Sequence, residues 1–509
     1  MSVNTNFDAT FCGKLAIHKT NSIQDYGYLI VLDINSLNII QASENISELY
    51  SNPVEELIGL HFSNCIPEHA FDALKAEFDK GIRNRVPFKS SFVTKATPVP
   101  VTLLCHIKED MVILEIEKDD EVPERVFSEV FQEVRSFIAS IENTKSLQEV
   151  CEASIHEIRR IAGFDGIRMY RFDEHWNGEV IAEEIEGTLE SYLGQTFPAS
   201  DVPKQARDLY VKNPFRLIPN KDYITHRLYP VINPIAGGFI DLSDCNLRSV
   251  AAVHLEYMAN MHVAASMSIR VMVEGKLWGL ISCHHITPNY LSLENRSIFE
   301  WLSIEISYRI AAIIKQEALI ESGRLSDIKA DIIQCIFSKG DMAKGLMEDE
   351  GKQFLSLLDL DGFSVSINGD IVSHGIVPEQ DEIENMLLWA NSKSLGTVFS
   401  SHEFGEVYDD ARHYQNIASG VVIIPINSHK GDFVIGFRPE RIKDISWGGN
   451  PNEAVNFEKD GIKYHPRNSF KLWQQTIFGQ SKVWTEAELA IAESFKNFLY
   501  QFDADQTFN

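Results

Sequence analysis

Cysteine is scarce in this chain. There are seven in 509 residues (Cys12, Cys65, Cys105, Cys151, Cys245, Cys283 and Cys335), odd in number and with no C-x-x-C pair. That excludes a disulfide scaffold and fits reduced thiols in the cytosol. Long apolar runs are missing as well: no stretch approaches the roughly 18 residues of a membrane span, and the opening MSVNTNFDATFCGK lacks the apolar core of a signal peptide. A soluble, cytoplasmic protein is expected. Positive charge is the third shortage. Lys and Arg total 46 against 73 Asp and Glu, a formal net charge of -27, which argues against nucleic acid or an anionic membrane as the main partner. There is no internal repeat, no long low-complexity segment, and neither an H-E-x-x-H box nor a Cys/His spacing for zinc, so no metal is expected.

What is present is the composition of ordinary folded domains, 44% hydrophobic and 23% charged, in a length sufficient for about three or four of them. From about residue 26 to 118 the chain reads as short strands and turns. YGYLIVLD and VILEIE are strand-like, and PVEELIGL is a short helix with Pro53 at its start. Near Glu121-Val122-Pro123 the pattern changes: Val126, Val130, Val134, Phe137, Ile138 and Ile141 recur at helical spacing. GFDGIRMYRFD and SIRVMVEGKLWGLISCHH then read as sheet strands. A second long helix starts at Ser292, a suitable N-cap, with Ile298, Leu302, Ile306, Ile310, Ile313 and Ile320 on one face and Gly323 as its first candidate stop. VVIIPI and DFVIGF are strands of a further domain. Thr485 and Glu488 form a capping box ahead of a last helix carrying Leu489, Ala492, Phe495, Leu499 and Phe502.

The chemistry concentrates in the middle. In FPASDVPKQARDLY, Asp201 stands between Pro198 and Pro203, which restrict the backbone on both sides and hold the acidic residue in a fixed pose. Taken singly, the neighbouring residues are unremarkable: His254 lies on an apolar helix face, Arg216 and Arg248 read as solvated arginines, and Tyr170, Phe197 and Tyr257 as core packing. His284 and His285 are adjacent on a strand, point to opposite faces and do not suit one shared metal.

Together these pieces resemble the chromophore-binding domain of bacterial phytochromes. The resemblance rests on PASDVP, on the R-x5-H-x2-Y run of Arg248, His254 and Tyr257, and on the GL-x-x-CHH strand. It extends to Cys12 with IHKTNSIQDYGYLIVLD on one side, and to WGGNP at 447–451 and PRNSF at 466–470 on the other. It implies an α+β chain of three tandem sensor domains, PAS (1–120), GAF (121–312) and PHY (313–509). Each is an antiparallel sheet with flanking helices, joined to the next by long helices, and the third sends out a tongue at about 438–484.

The resemblance also implies a ligand and roles. Biliverdin IXα joins Cys12 through a thioether, and the thiolate is the reactive form. Arg216, Arg248, Tyr210, Ser266 and Ser268 hold its propionates. His254 and the Asp201 backbone carbonyl face the pyrrole nitrogens, and His284 bonds the outermost ring, walled by Tyr170, Phe197 and Tyr257. The Asp201 side chain pairs with Arg467, next to Ser469, in a contact that light switches as the tongue shifts between strand-like and helical forms. A light-regulated output domain, a histidine kinase or diguanylate cyclase, and a parallel homodimer through helices at 125–142 and 292–320 are the implied partners.

Three positions depart from the family pattern. SIQDYG replaces the common SIQPHG, Ala251 stands where a serine is frequent, and Val253 occupies the anchor position of plant and cyanobacterial relatives, which favours biliverdin. Two rivals remain: a GAF/PAS regulator of another small molecule, and a hydrolase using Cys283 with His284 or His285. The second is disfavoured because neighbouring strand residues face apart and no acidic orienter is evident.

Overall fold

The computed structural model describes residues 16–79, 86–93, 97–119, 127–453, 455–457 and 464–508. They fall into two units, one running to Ala311 and including Ser446–Trp473, the other comprising Ala312–Ile445 and the chain from Gln474 onward.

The first unit holds two large sheets and, among the described residues, a two-stranded one. Its strands up to His285 are β1 (Ser22–Ile23), β2 (Tyr28–Asp33), β3 (Ile39–Ser43), β4 (Val86–Phe92), β5 (Val99–Lys108), β6 (Met111–Lys118), β7 (Gly166–Phe172), β8 (Gly178–Ile185), β9 (Thr196–Phe197), β10 (Phe215–Ile218), β11 (His226–Tyr229), β12 (Ala265–Val273) and β13 (Lys276–His285). The first sheet runs β1-β11-β3-β2-β6-β5-β4. β2 and the first half of β6, Met111–Leu114, read as apolar runs because both faces are covered. One face packs Ile30, Leu32, Leu114 and Ile116 into the main core. The other packs Leu29, Val31 and Ile113 under Leu228, Leu242 and Leu247, which arrive from far along the chain.

That second cover comes from a chain crossing. β11 pairs antiparallel with β1 (Ser22↔Arg227) and with β3 (Tyr229↔Ala42). On the other side Ile23 bridges Arg248, Lys19 bridges Asp241, and the Gln24 amide donates to the Leu247 carbonyl at 2.8 Å. Residues 18–24 therefore pass between the two arms of the 226–249 loop, an arrangement most folds avoid.

In the second sheet β10, β12, β13, β7, β8 and β9 follow in that order. The helix Leu147–Ala162 starts on Ser146, whose hydroxyl accepts from the Glu149 amide at 3.2 Å, and buries Val150, Cys151, Ile155 and Ile158.

The helix Leu293–Lys339, 47 residues long, continues into the second unit. Gly323 does not stop it. A glycine in a solvated helix costs about 1 kcal/mol, and Leu325, Ile332 and Ile336 beyond it are buried. The stop is Gly340, at φ +63, whose amide bonds Ile336 O at 3.0 Å. The second unit's sheet contains β14 (Gly362–Ile367), β15 (Asp370–Gly375), β16 (Phe399–Ser401), β17 (Gly420–Asn427) and β18 (Asp432–Arg438), ordered β15-β14-β18-β17-β16 with apolar clusters on both faces. The last helix, Glu486–Phe508, opens on the reciprocal bonds of Thr485 and Glu488, 2.8 and 3.2 Å. At the other end of the chain, PVEELIGL gives only a single 3-10 turn, Val54–Glu56, with Pro53 capping it from outside.

After β18 come β19 (Lys443–Gly448), β20 (Val455–Phe457), β21 (Tyr464–Pro466) and β22 (Leu472–Ile477). Among the described residues of 443–477 there are strands and one 3-10 turn. β19 meets the second sheet where Trp447 pairs with Thr196. Its end requires glycine twice: a Cβ on Gly448 would lie 2.5 Å from the Phe197 ring, and Gly449 sits at φ +102 with a Cβ position 2.4 Å from Ser469 O. Among the described residues no helix is long and apolar enough to cross a membrane.

Candidate functional site: a cavity in the middle domain

A cavity of about 250 Å³ lies against the second sheet, in the first unit. Tyr170, Phe197, Asp201, Tyr210, Arg216, Arg248, His254, Tyr257, Ser266, Ser268 and His284 all line it. Cys12 lies outside the described residues. Strand register explains the convergence. Ser268 is paired with Arg216 on one side and Ser282 on the other, and Ser266 is paired with His284. With a period of two, these side chains share one face of the sheet. The helix Ala252–Asn260 presents His254 and Tyr257 three residues apart, on the same side.

One corner is basic. Arg216 donates to the carbonyls of Asn246 and Arg248, and Arg248 to Leu242 O at 3.2 Å. Arg248 is 7% exposed. Burial, reinforced by the neighbouring Arg216 charge, pushes its pKa down to about 9. Burial raises that of Tyr210, which bonds Ser268. Two guanidiniums that repel one another, beside hydroxyl donors, form a receptor for an anion.

The cavity also holds two neutral histidines. Burial, then Arg216, lowers the His254 pKa to about 4; burial, then Arg168 and His254, lowers that of His284 to about 3. Arg168 Nη1 lies 3.1 Å from His284 Nδ1. A guanidinium only donates, so Nδ1 accepts and the ring proton sits on Nε2, 3.1 Å from Ser282 Oγ. Arg168 is held in turn by Glu183 at 2.6 Å, both buried.

Below the rings, Tyr257 donates to Asp201 Oδ2 at 2.7 Å, and Arg467 bonds the same oxygen. Burial raises the Asp201 pKa, against the pull of Arg467 and Tyr257. The Arg467 guanidinium sits 5.3 Å from the Phe197 ring centre and 5.1 Å from that of Phe470. Ser469 is placed elsewhere: it lines a neighbouring cavity of about 220 Å³, and its hydroxyl accepts from the Lys471 amide. Among the described residues no hydrogen bond joins it to Asp201.

The departures have structural counterparts. Asp25 accepts from the Ile224 amide at 2.9 Å, and the half-buried Tyr26 ring lies under the Arg296 guanidinium. Ala251 begins its helix without a side-chain cap. Cys283 faces away from the cavity, its thiol pushed up by burial, which removes it as a nucleophile. Sequence reasoning passed over Arg168, Ser282 and Cys245. The first shares a strand face with Tyr170, so an arginine at an otherwise apolar-facing position was the available signal. Cys245, one of the scattered cysteines, also lines the cavity.

Fold and cavity define a tandem sensor module with a ligand pocket in its middle domain. The chain belongs to the phytochrome family. Models of the PAS fold, the GAF domain and the phytochrome region match residues 12–119, 146–310 and 325–507. A bacteriophytochrome of Xanthomonas campestris is 31% identical over 97% of this chain and 79% of its own. Cyanobacterial phytochrome B of Nostoc sp. is 34% identical over 95% of this chain and 65% of its own, so the chain spans just under two thirds of that relative. The crystal structure of a bacteriophytochrome from the photosynthetic bacterium R. palustris superposes with a TM-score of 0.86 at 31% identity, covering 96% of this chain and 98% of that one. The family binds a bilin chromophore.

Proposed function

We propose that this chain is the sensory part of a red/far-red photoreceptor that holds biliverdin IXα, linked to Cys12, and regulates an output domain, a histidine kinase or diguanylate cyclase. We divide it as PAS to residue 120, GAF to 312 and PHY beyond. The observation that carries the reading is the distribution of charge in the cavity. A basic corner of Arg216 and Arg248 suits two propionates, and neutral His254 accepts from pyrrole N–H groups. The His284 Nε2 proton suits a ring carbonyl. Ser200 Oγ and Gln205 Oε1, buried in the lining and without hydrogen-bond partners among the described residues, add polar contacts that a polar ligand satisfies.

When bound, the bilin supplies light-driven rotation about the bridge next to its outermost ring. Tyr170, Phe197 and Tyr257 confine that ring, and the Tyr257 hydroxyl passes any displacement to Asp201. Asp201 holds Arg467, so a shift of Tyr257 reaches the tongue directly. A parallel homodimer is supported by Trp301, Ile304 and Tyr308, 41%, 44% and 71% exposed on the long helix.

The test is to add biliverdin to the purified chain, record spectra before and after red and far-red light, and denature to see whether the pigment stays attached. A reversible red/far-red shift with a denaturation-stable adduct, lost in Cys12→Ser, is expected. Absence of any visible adduct or complex returns the chain to the reading of a regulator with another ligand.

A further inference from the structure

Where the chain crosses itself, one cluster of ligand-type side chains has no part in the pigment contacts proposed above, although Cys245 also lines the cavity. His106 on β5, Glu115 on β6 and Cys245 on the returning arm bring their ligand atoms within 4.8 Å of one another. The register pairs His106 with Ile113 and Leu104 with Glu115, so both side chains emerge on the sheet face that Leu242, Cys245 and Leu247 cover. All three are buried, at 3%, 1% and 3% exposure. Cys245 Sγ lies 3.9 Å from His106 Nε2. Tetrahedral zinc, with Zn–S about 2.3 Å and Zn–N about 2.0 Å, sets these atoms about 3.6 Å apart. Glu115 Oε2 accepts from the Leu247 amide at 2.7 Å, which fixes the orientation of the carboxylate.

We propose that His106, Glu115 and Cys245 bind one zinc ion that clasps the returning arm to the first sheet. On binding, the Cys245 thiol gives its proton to solvent and a Zn–S bond forms. His106 contributes the Nε2 lone pair and Glu115 a carboxylate oxygen, and a water completes the tetrahedron with no change of oxidation state. Thiolate and carboxylate together offset the divalent charge, and both also face the buried Arg248 guanidinium. The mixed N, O and S donors suit zinc better than the all-oxygen cations or soft copper(I). Cys245 stands three residues before Arg248, so the clasp fixes the arm that carries the anion-binding corner. No motif spacing announces it: His106 and Cys245 are 139 residues apart.

The test uses the full chain, tag-free, stripped with a chelator, reloaded with zinc chloride and dialysed against a weak chelator before elemental analysis. About one zinc per chain is expected to remain, falling about tenfold or more in Cys245→Ser and in His106→Gln. Cadmium in place of zinc gives a thiolate-to-metal absorption band that Cys245→Ser abolishes. Circular dichroism checks the fold of each variant; where one fails to fold, Glu115→Gln and the wild-type cadmium band decide. Zinc retention no greater in the wild type than in Cys245→Ser, or a wild-type chain without the cadmium band, overturns the proposal.

Discussion

Tyr257 and Arg467 meet on a single atom, Asp201 Oδ2, the hydroxyl at 2.7 Å and the guanidinium beside it. The Arg467 and Asp201 side chains are only 2% and 7% exposed. Removing one partner of such a pair leaves a buried charge, at a cost of about 3 kcal/mol. Arg467→Ala is therefore expected to lower urea stability by about that amount. Tyr257→Phe, which removes one hydrogen bond, should lower it by about 1 kcal/mol. The Asp201→Ala/Arg467→Ala double variant should lose less than the sum of the singles. Additive losses in that cycle would refute the pair as an energetic unit.

The end of β19 is fixed by sterics as well as charge. Alanine at Gly449 meets both the φ of +102 and the Ser469 carbonyl, and at Gly448 the Phe197 ring. Backbone strain of this kind costs about 2 kcal/mol. Both variants are expected to speed proteolysis within 446–473 while leaving cleavage elsewhere unchanged. Wild-type protection in both would mean that this segment does not depend on the close approach to Phe197.

Much of this arrangement was legible in the sequence, for reasons that differ by element. Ser266, Ser268 and Tyr170 followed from the resemblance of the surrounding motifs, and two prolines marked Asp201. That the long helix joins two domains was legible, but where it ends was not. Gly323 reads as a stop locally, but burial of Leu325, Ile332 and Ile336 further along outweighs its propensity cost. Arg168 escaped notice because a buried arginine is justified only by its partners, Glu183 and His284, which lie 15 and 116 residues away. The chain crossing, and with it the cluster of His106, Glu115 and Cys245, depends on contacts that no periodicity encodes.

The two cavity histidines make a pH prediction for the chain without bilin. Both folded pKa values, about 4 for His254 and about 3 for His284, lie below the ordinary 6.5. Between those limits the unfolded chain binds more protons, so stability falls as pH drops below 6.5. Each histidine accounts for about 2 kcal/mol between pH 7 and pH 5. Asp201, whose pKa burial raises, works in the opposite sense as it protonates. His254→Phe and His284→Asn separate the effects: each should flatten the urea-stability profile over this range. An unchanged slope in both would show that the histidines are solvated and titrate normally.

The basic corner separates stability from binding. Arg248 carries a charge that burial and Arg216 both oppose, so the fold bears a cost that an anion relieves. Arg248→Met keeps most of the side-chain volume and removes the repulsion, although the bond to Leu242 O is lost with it. Stability without ligand is expected to stay within about 1 kcal/mol of wild type. Affinity for biliverdin is expected to fall about tenfold or more, the loss of a charge-assisted contact. Biliverdin dimethyl ester, which has no propionate charge, gives the control. Titrated by visible absorption, it should bind wild type and Arg248→Met about equally. A variant that loses the ester as severely as the free acid would assign Arg248 to shaping the pocket, and the anion contact would then rest on Arg216 alone.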